Sequence, residues 1–171
     1  MLSDSRTIKV LGNQLAFAGR TYTCAVGKNG FSADKKEGDG CTPLGIFSLR
    51  ECWYRADKMS APKTKLPLKI ITQNDGWCDD VSSPDYNRHV HLPYSFSHEK
   101  LWREDDLYNL IIPIGYNDSP IISGKGSAIF LHVAKTDYSG TEGCIALSKY
   151  DLLEILPALS AQINVGIYKE I

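Results

Sequence analysis

A histidine and a cysteine, His132 and Cys144, carry the clearest prospect of chemistry in this chain. They lie in the stretch Ile-Phe-Leu-His-Val-Ala-Lys-Thr-Asp-Tyr-Ser-Gly-Thr-Glu-Gly-Cys-Ile-Ala-Leu, residues 129–147. His132 ends an apolar run, and Cys144 opens another after a Ser-Gly-Thr-Glu-Gly loop. Two adjacent strands joined by such a loop bring their facing ends together, with the imidazole beside the thiol. A free thiol titrates near pH ~8.5 and is mostly protonated at neutral pH, and a neighbouring histidine can convert it to the nucleophilic thiolate. Gly143 adds a second element, because a residue without Cβ lets a carbonyl approach the backbone N–H groups of the turn, which can hold an oxyanion. On spacing alone, a packed core cysteine and a hydrogen-bonded core histidine account for the same residues. A metal reading centres on Arg88-His89-Val90-His91, which puts two imidazoles on one strand face, with Cys78, Asp79 and Asp80 about ten residues earlier. No fourth ligand stands at a familiar spacing, so no metal site and no cofactor are expected.

The elements that must position this pair are mostly short strands. Residues 7–11, 14–17 and 20–26 are β-rich and broken by Gly12-Asn13 and Gly19, which reads as successive tight hairpins. Residues 27–45 hold five of the 14 glycines and form a long ordered loop or flap, a kind of segment that is usually functional. A strand over 46–54 follows, then an exposed connection over 56–66 and a polar, aromatic segment over 74–94 with no clear period. Residues 97–105 are expected to hold a short helix capped by Ser97. The runs 107–114 and 127–133 are near-continuously apolar, as in strands buried on both faces. Ser148 caps the one well-marked helix, 148 to about 159, whose stripe is Leu152, Leu153, Ile155, Leu156 and Leu159 and whose end is weakened by Pro157. A last strand spans 163–171. Many short strands, Gly-rich turns and one late helix predict a mainly-β sandwich or barrel with one or two short helices, in a single domain over 1–171.

Composition narrows the function classes. Nineteen Lys plus Arg against twenty Asp plus Glu give a formal charge of -1, which argues against a nucleic-acid partner. No apolar run approaches the ~20 residues of a membrane helix, so no membrane association is expected. The five cysteines are odd in number and irregularly spaced, with no Cys-x-x-Cys, which fits a reduced chain better than a disulfide framework. The first residues, Met-Leu-Ser-Asp-Ser-Arg-Thr-Ile-Lys, show no apolar signal core, so a cytoplasmic location is expected; the alternative is a periplasmic protein whose leader has been removed.

Taken with a second motif, Gly38-Asp39-Gly40-Cys41-Thr42-Pro43-Leu44-Gly45-Ile46-Phe47, the His132 to Cys144 stretch resembles the L,D-transpeptidase catalytic domain of the YkuD type. That family's pattern is a histidine ending a strand, then a loop, then Ser/Thr-His-Gly-Cys; here it reads His132, then Thr141-Glu142-Gly143-Cys144. The upstream motif resembles its Thr-Pro-x-Gly-x-Phe signature, and the matching pieces span roughly residues 7–148 in the expected order. The resemblance implies a cysteine enzyme acting on peptidoglycan stem peptides. Cys144 would form a thioester, His132 would take the thiol proton and return it to the leaving amine, and N–H groups at Glu142, Gly143 and Cys144 would hold the oxyanion. Thr141 would orient the histidine ring through its hydroxyl or carbonyl.

This chain departs from the pattern at two places. Glu142 stands where the family has a second histidine, and Ala146 stands where a polar or cationic residue is usual. Glu142 is therefore expected to meet a substrate ammonium, such as that of diaminopimelate. The terminal carboxylate is expected to find Arg88, Arg103 or Lys125, because cationic side chains bind carboxylate strongly and arginine does so in a bidentate manner. Tyr116 and Asn117 are expected to line the cleft. The expected activity is an L,D-carboxypeptidase that trims the terminal D-Ala from a muropeptide tetrapeptide. The alternatives are L,D-transpeptidation, and a non-catalytic stem-peptide binding module suggested by the two departures.

Overall fold

The structure, a computed structural model, describes residues 6–169. Its strands are β1 (Thr7–Leu11), β2 (Gln14–Phe17), β3 (Arg20–Ala25), β4 (Phe31–Ser32), β5 (Thr42–Pro43), β6 (Gly45–Ser48), β7 (Cys52–Tyr54) and β8 (Leu68–Ile70). Then come β9 (Asp75–Cys78), β10 (His89–His91), β11 (His98–Lys100), β12 (Leu110–Pro113), β13 (Phe130–Val133), β14 (Ile145–Leu147) and β15 (Asn164–Tyr168). One helix, α1 (Lys149–Ile155), runs into a 3-10 turn over Leu156–Ala158. Ten strands form one mixed sheet in the order β6-β15-β1-β2-β3-β14-β13-β12-β7-β8, and β10-β9-β11 form a second. The architecture is the expected mainly-β one with a single short helix.

The large sheet has different covers on its two faces, and alternation along β13 and β14 decides which residue meets which. Leu131, Val133, Ile145 and Leu147 join the main core, where α1 contributes Leu152 and Ile155. Phe130 and Cys144 belong to a smaller cluster on the opposite face with Trp53, Tyr108 and Ile111. The three-stranded sheet closes that side, and its Trp77 meets Phe130 edge-on at 5.1 Å. Strands covered on both faces have no reason to alternate apolar with polar residues, which explains the continuous apolar runs in the sequence.

The helix starts as its sequence indicates, with the Ser148 side chain accepting from Asp151 N–H, and Pro157 sits in the 3-10 turn rather than inside the α-helix. Three boundaries differ from expectation. The strand expected over 46–54 is two strands, β6 and β7, interrupted at Leu49–Glu51. The short helix expected over 97–105 is β11, because pairing of His98, Glu99 and Lys100 with β9 supplies ladder bonds that an isolated helical turn lacks. The closing strand ends at Tyr168, and the final positions of its expected span lie outside the described residues. No helix among the described residues is long and apolar enough to cross a membrane.

Candidate active site

β13 and β14 are parallel neighbours with Leu131 opposite Ile145 and His132 opposite Ala146. Residues paired across a ladder share a face, so His132, Ala146, Phe130 and Cys144 all project to the same side. A strand spacing of ~4.8 Å and a rise of ~3.3 Å per residue put the backbones of His132 and Cys144 roughly 8 Å apart on the diagonal. Both side chains line one cavity of about 560 Å³.

Neither side chain is charged at rest. The Cys144 thiol donates to the Ala128 carbonyl at 3.2 Å, and its sulfur receives the Phe130 N–H at 3.4 Å. Burial pushes this thiol up to about 12, the negative charge of Glu99 adds to the push, and the Phe130 N–H and the Lys35 cation oppose it. Burial pulls the His132 imidazole down to about 4. Its Nδ1 lies 2.8 Å from the Val133 carbonyl, which can only accept, so Nδ1 carries the proton and Nε2 is left as the basic atom. The Tyr108 ring meets His132 edge-on at 5.3 Å, and the Tyr108 hydroxyl donates to Glu99 at 2.5 Å. The resting pair is therefore a thiol and a neutral imidazole, so any attack by this sulfur would require its proton to leave.

The loop before Cys144 is tied down by its own hydroxyl and by the 27–45 segment. The Thr141 hydroxyl donates to the Cys144 carbonyl at 2.6 Å and accepts from Gly143 N–H at 3.1 Å. The Thr141 carbonyl accepts from Lys28 N–H at 2.7 Å. Thr141 thus closes the nucleophile turn, whereas the expectation had it orienting the histidine ring. The Gly143 N–H is also committed within the turn, so it is not the free oxyanion donor expected. Thr42 joins the two segments, because its hydroxyl donates to the Gly143 carbonyl at 2.9 Å and accepts from Gly27 N–H at 2.8 Å. Gly143 has φ +136°, and a Cβ there would stand 2.7 Å from the Cys41 carbonyl, so no other residue fits without moving this clasp.

Of the expected substrate contacts, Glu142 and Arg103 line the cavity. Glu142 is exposed and pairs with Lys28 at 2.6 Å. Arg103 forks onto Asp105 at 2.8 and 2.6 Å and lies 5.0 Å over the Tyr108 ring. The other four do not reach the cavity. Arg88 lines a separate depression with Trp77, His89 and Asp118. Lys125 is paired with Asp34 at 2.6 Å. The Tyr116 hydroxyl donates to the Lys125 carbonyl, and its ring packs on Phe47 at 5.4 Å. The Asn117 side chain bridges Ile122 and Gly126 and organises a surface loop. The 116–126 loop folds onto its own backbone through Tyr116 and Asn117 and sends Lys125 to Asp34, while Arg88 stands apart from that loop, just before β10.

Residues that the sequence did not single out take these places. Lys35 is buried in the cavity wall, with its ammonium 2.7 Å from Asp39. That ammonium lies 3.4 Å from where a Cβ on Gly143 would be. Glu37, Glu99 and Tyr108 complete the polar wall. The signal available for Lys35 was its position in the Gly-rich 27–45 segment next to Asp39, but nothing local marks it as buried.

The family model for the L,D-transpeptidase catalytic domain matches residues 2–165. Among solved structures the chain is similar to L,D-transpeptidase 1 of Mycobacterium tuberculosis, with 13% sequence identity and a TM-score of 0.44. That likeness covers 96% of this chain and 60% of the other, so the chain spans about 60% of the length of that protein. No curated protein matches the sequence.

Proposed function

The chain belongs to the L,D-transpeptidase catalytic domain family, and from that premise we propose that it is an L,D-carboxypeptidase. It takes a peptidoglycan-derived tetrapeptide, cleaves the amide before the terminal D-Ala, and releases D-Ala and a tripeptide. The proposed setting is the cytoplasm, where soluble fragments of wall turnover are the matching substrate.

In this reading His132 Nε2 accepts the Cys144 proton as sulfur attacks the carbonyl carbon on the L-centre side of the scissile amide. Backbone N–H groups of Glu142 and Cys144 hold the oxyanion while Gly143 keeps the turn in shape. The imidazolium returns its proton to the amine of D-Ala as the C–N bond breaks, leaving a thioester. Water, deprotonated by His132, then attacks the thioester, and the thiol is regenerated. Proton transfer concerted with attack suits a pair that is neutral at rest, because neither charge is paid for in advance. Lys35 and Arg103 offer the cations for the terminal carboxylate, and Glu37 and Glu99 offer acceptors for an ammonium of the third residue.

The observation that carries the hydrolytic reading is the cavity itself. At about 560 Å³ it holds Cys144, His132 and both signs of charge, within the ~300–1,000 Å³ of small-ligand sites, which suits the end of one stem peptide. Incubation with a muropeptide tetrapeptide, with and without a free D-amino acid, tests it by mass. Hydrolysis predicts tripeptide in both samples. D-amino-acid exchange or crosslinked product without tripeptide would establish transpeptidation instead, and peptide binding with no product would establish a binding module.

A further inference from the structure

The polar segment over 74–94 forms a hairpin whose inner face carries a constellation outside the active site. We propose that Asp75, His89 and His91 bind a divalent first-row transition metal, zinc being the best fit to their chemistry. The proposal does not depend on the carboxypeptidase reading.

Register produces the cluster. His91 lies opposite Asp75 and His89 lies opposite Trp77 across the β9–β10 ladder. Residues at i and i+2 share a strand face, so both imidazoles and the carboxylate point the same way. One ligand atom from each of the three falls within 4.8 Å of the others. The sequence offered only the two histidines, together with Cys78, Asp79 and Asp80. The fold replaces those three with Asp75, which sits before the strand residues the spacing drew attention to. Cys78 instead lies buried, with its sulfur accepting from the Tyr94 hydroxyl at 3.8 Å.

The groups are already held in the manner of metal ligands. Asp75 is buried, and one of its oxygens accepts from the Thr72 N–H at 2.6 Å and the Thr72 hydroxyl at 2.8 Å. Its other oxygen lies 2.7 Å from His89 Nε2. Outer-shell bonds of this kind fix a ligating carboxylate before the metal arrives. The His89 ring lies tilted against Trp53 at 4.9 Å and meets the His91 ring edge-on at 4.9 Å. His91 is exposed and gives an entry path. The nearby Lys69 cation over Trp53 is countered by Glu51 at 2.9 Å. Two imidazoles and a carboxylate are a common zinc donor set, and bonds of ~2.0–2.1 Å would hold tetrahedral ligand atoms about 3.3 Å apart. The His89–Asp75 pair must then open by roughly half an ångström, and a solvent molecule takes the fourth position. A metal here would clamp β9 to β10. Because β9 also carries β11, it would stiffen the wall that presents Glu99 to the active-site cavity.

Zinc titration of the full chain by calorimetry, with cobalt(II) absorption as a second readout, tests the proposal. The expected result is one zinc per chain, a raised unfolding temperature with zinc, and cobalt bands without a thiolate charge-transfer band. His91→Gln, an exposed substitution that spares the core, should weaken binding by at least about 100-fold, beyond the usual loss of an outer-shell partner. His89→Gln should do the same. No zinc binding, binding that survives both substitutions, or a thiolate-to-cobalt band would overturn it.

Discussion

Leu131, Val133, Ile145 and Leu147 point one way from the β13–β14 pair, and Phe130, His132, Cys144 and Ala146 point the other. The first set meets a large, mainly aliphatic core and the helix. The second set meets aromatic rings, a buried lysine and carboxylates around a cavity. Two strands of three or four residues thus hold the fold on one face and carry the proposed catalytic pair on the other. Cys24 makes the same contrast among cysteines. It sits on β3 opposite Leu147, and burial pushes its thiol up to about 12 as well, yet it has no histidine beside it and no place on the cavity wall. A raised thiol alone therefore does not separate the two cysteines; the proposal for Cys144 rests on the cavity wall it shares with His132.

Substitutions on the two faces should separate activity from stability. Cys144→Ala should lower turnover of tetrapeptide by on the order of 10⁴-fold or more while changing unfolding free energy by about 1 kcal/mol. Leu131→Ala, at a fully buried position, should do the reverse, costing about 2–5 kcal/mol in denaturant unfolding with kcat/KM retained in the folded fraction. If Leu131→Ala lowered kcat/KM as Cys144→Ala does, the division between faces would be broken.

The next effect in size is set by pH and belongs to the chemical face alone. In the unfolded chain His132 takes a proton near pH ~6.5, whereas in the folded protein it does so at about 4. Between those values the unfolded state binds the extra proton. The His132 contribution is therefore intact above the upper value and is lost as pH falls through the window, by up to about 3 kcal/mol. Equilibrium unfolding from neutral pH to about pH 4 should show this loss, and His132→Gln should flatten it. The acid limb of kcat/KM should likewise lie well below the usual histidine range, and a limb near pH ~6.5 would contradict a neutral buried imidazole. The smallest effect concerns the cations. Arg103→Ala should raise KM by roughly 10-fold, as for a lost charge-assisted contact, and Lys125→Ala should leave KM unchanged. Equal effects would mean the 116–126 loop reaches substrate after all.

The legible parts of the molecule are those whose signal is local. His132 near the end of a strand, Gly143-Cys144 at a turn, and Ser148 before an apolar stripe each carry their reason within a few residues. What escaped the sequence depends on chain segments meeting. Lys35 looks like one of many surface lysines until the clasp between Thr42 and Gly143 folds its segment over the nucleophile turn. Glu99 lies in a polar triplet too short to show a period, and only its ladder with β9 turns it toward Tyr108. Arg88 and Lys125 were sound choices by chemistry, but chain direction places them elsewhere. Asp75 joined the two histidines through a register that spacing along the chain could not disclose.

The most direct test is whole-protein mass spectrometry after exposure to a carbapenem, with the modified residue mapped by peptide digestion. The reading of the β13–β14 pair predicts one adduct, on Cys144, abolished by Cys144→Ala and strongly slowed by His132→Ala, with Cys24, Cys41, Cys52 and Cys78 unmodified. An adduct on Cys41 or another of those four, or full labelling that is indifferent to His132, would contradict it.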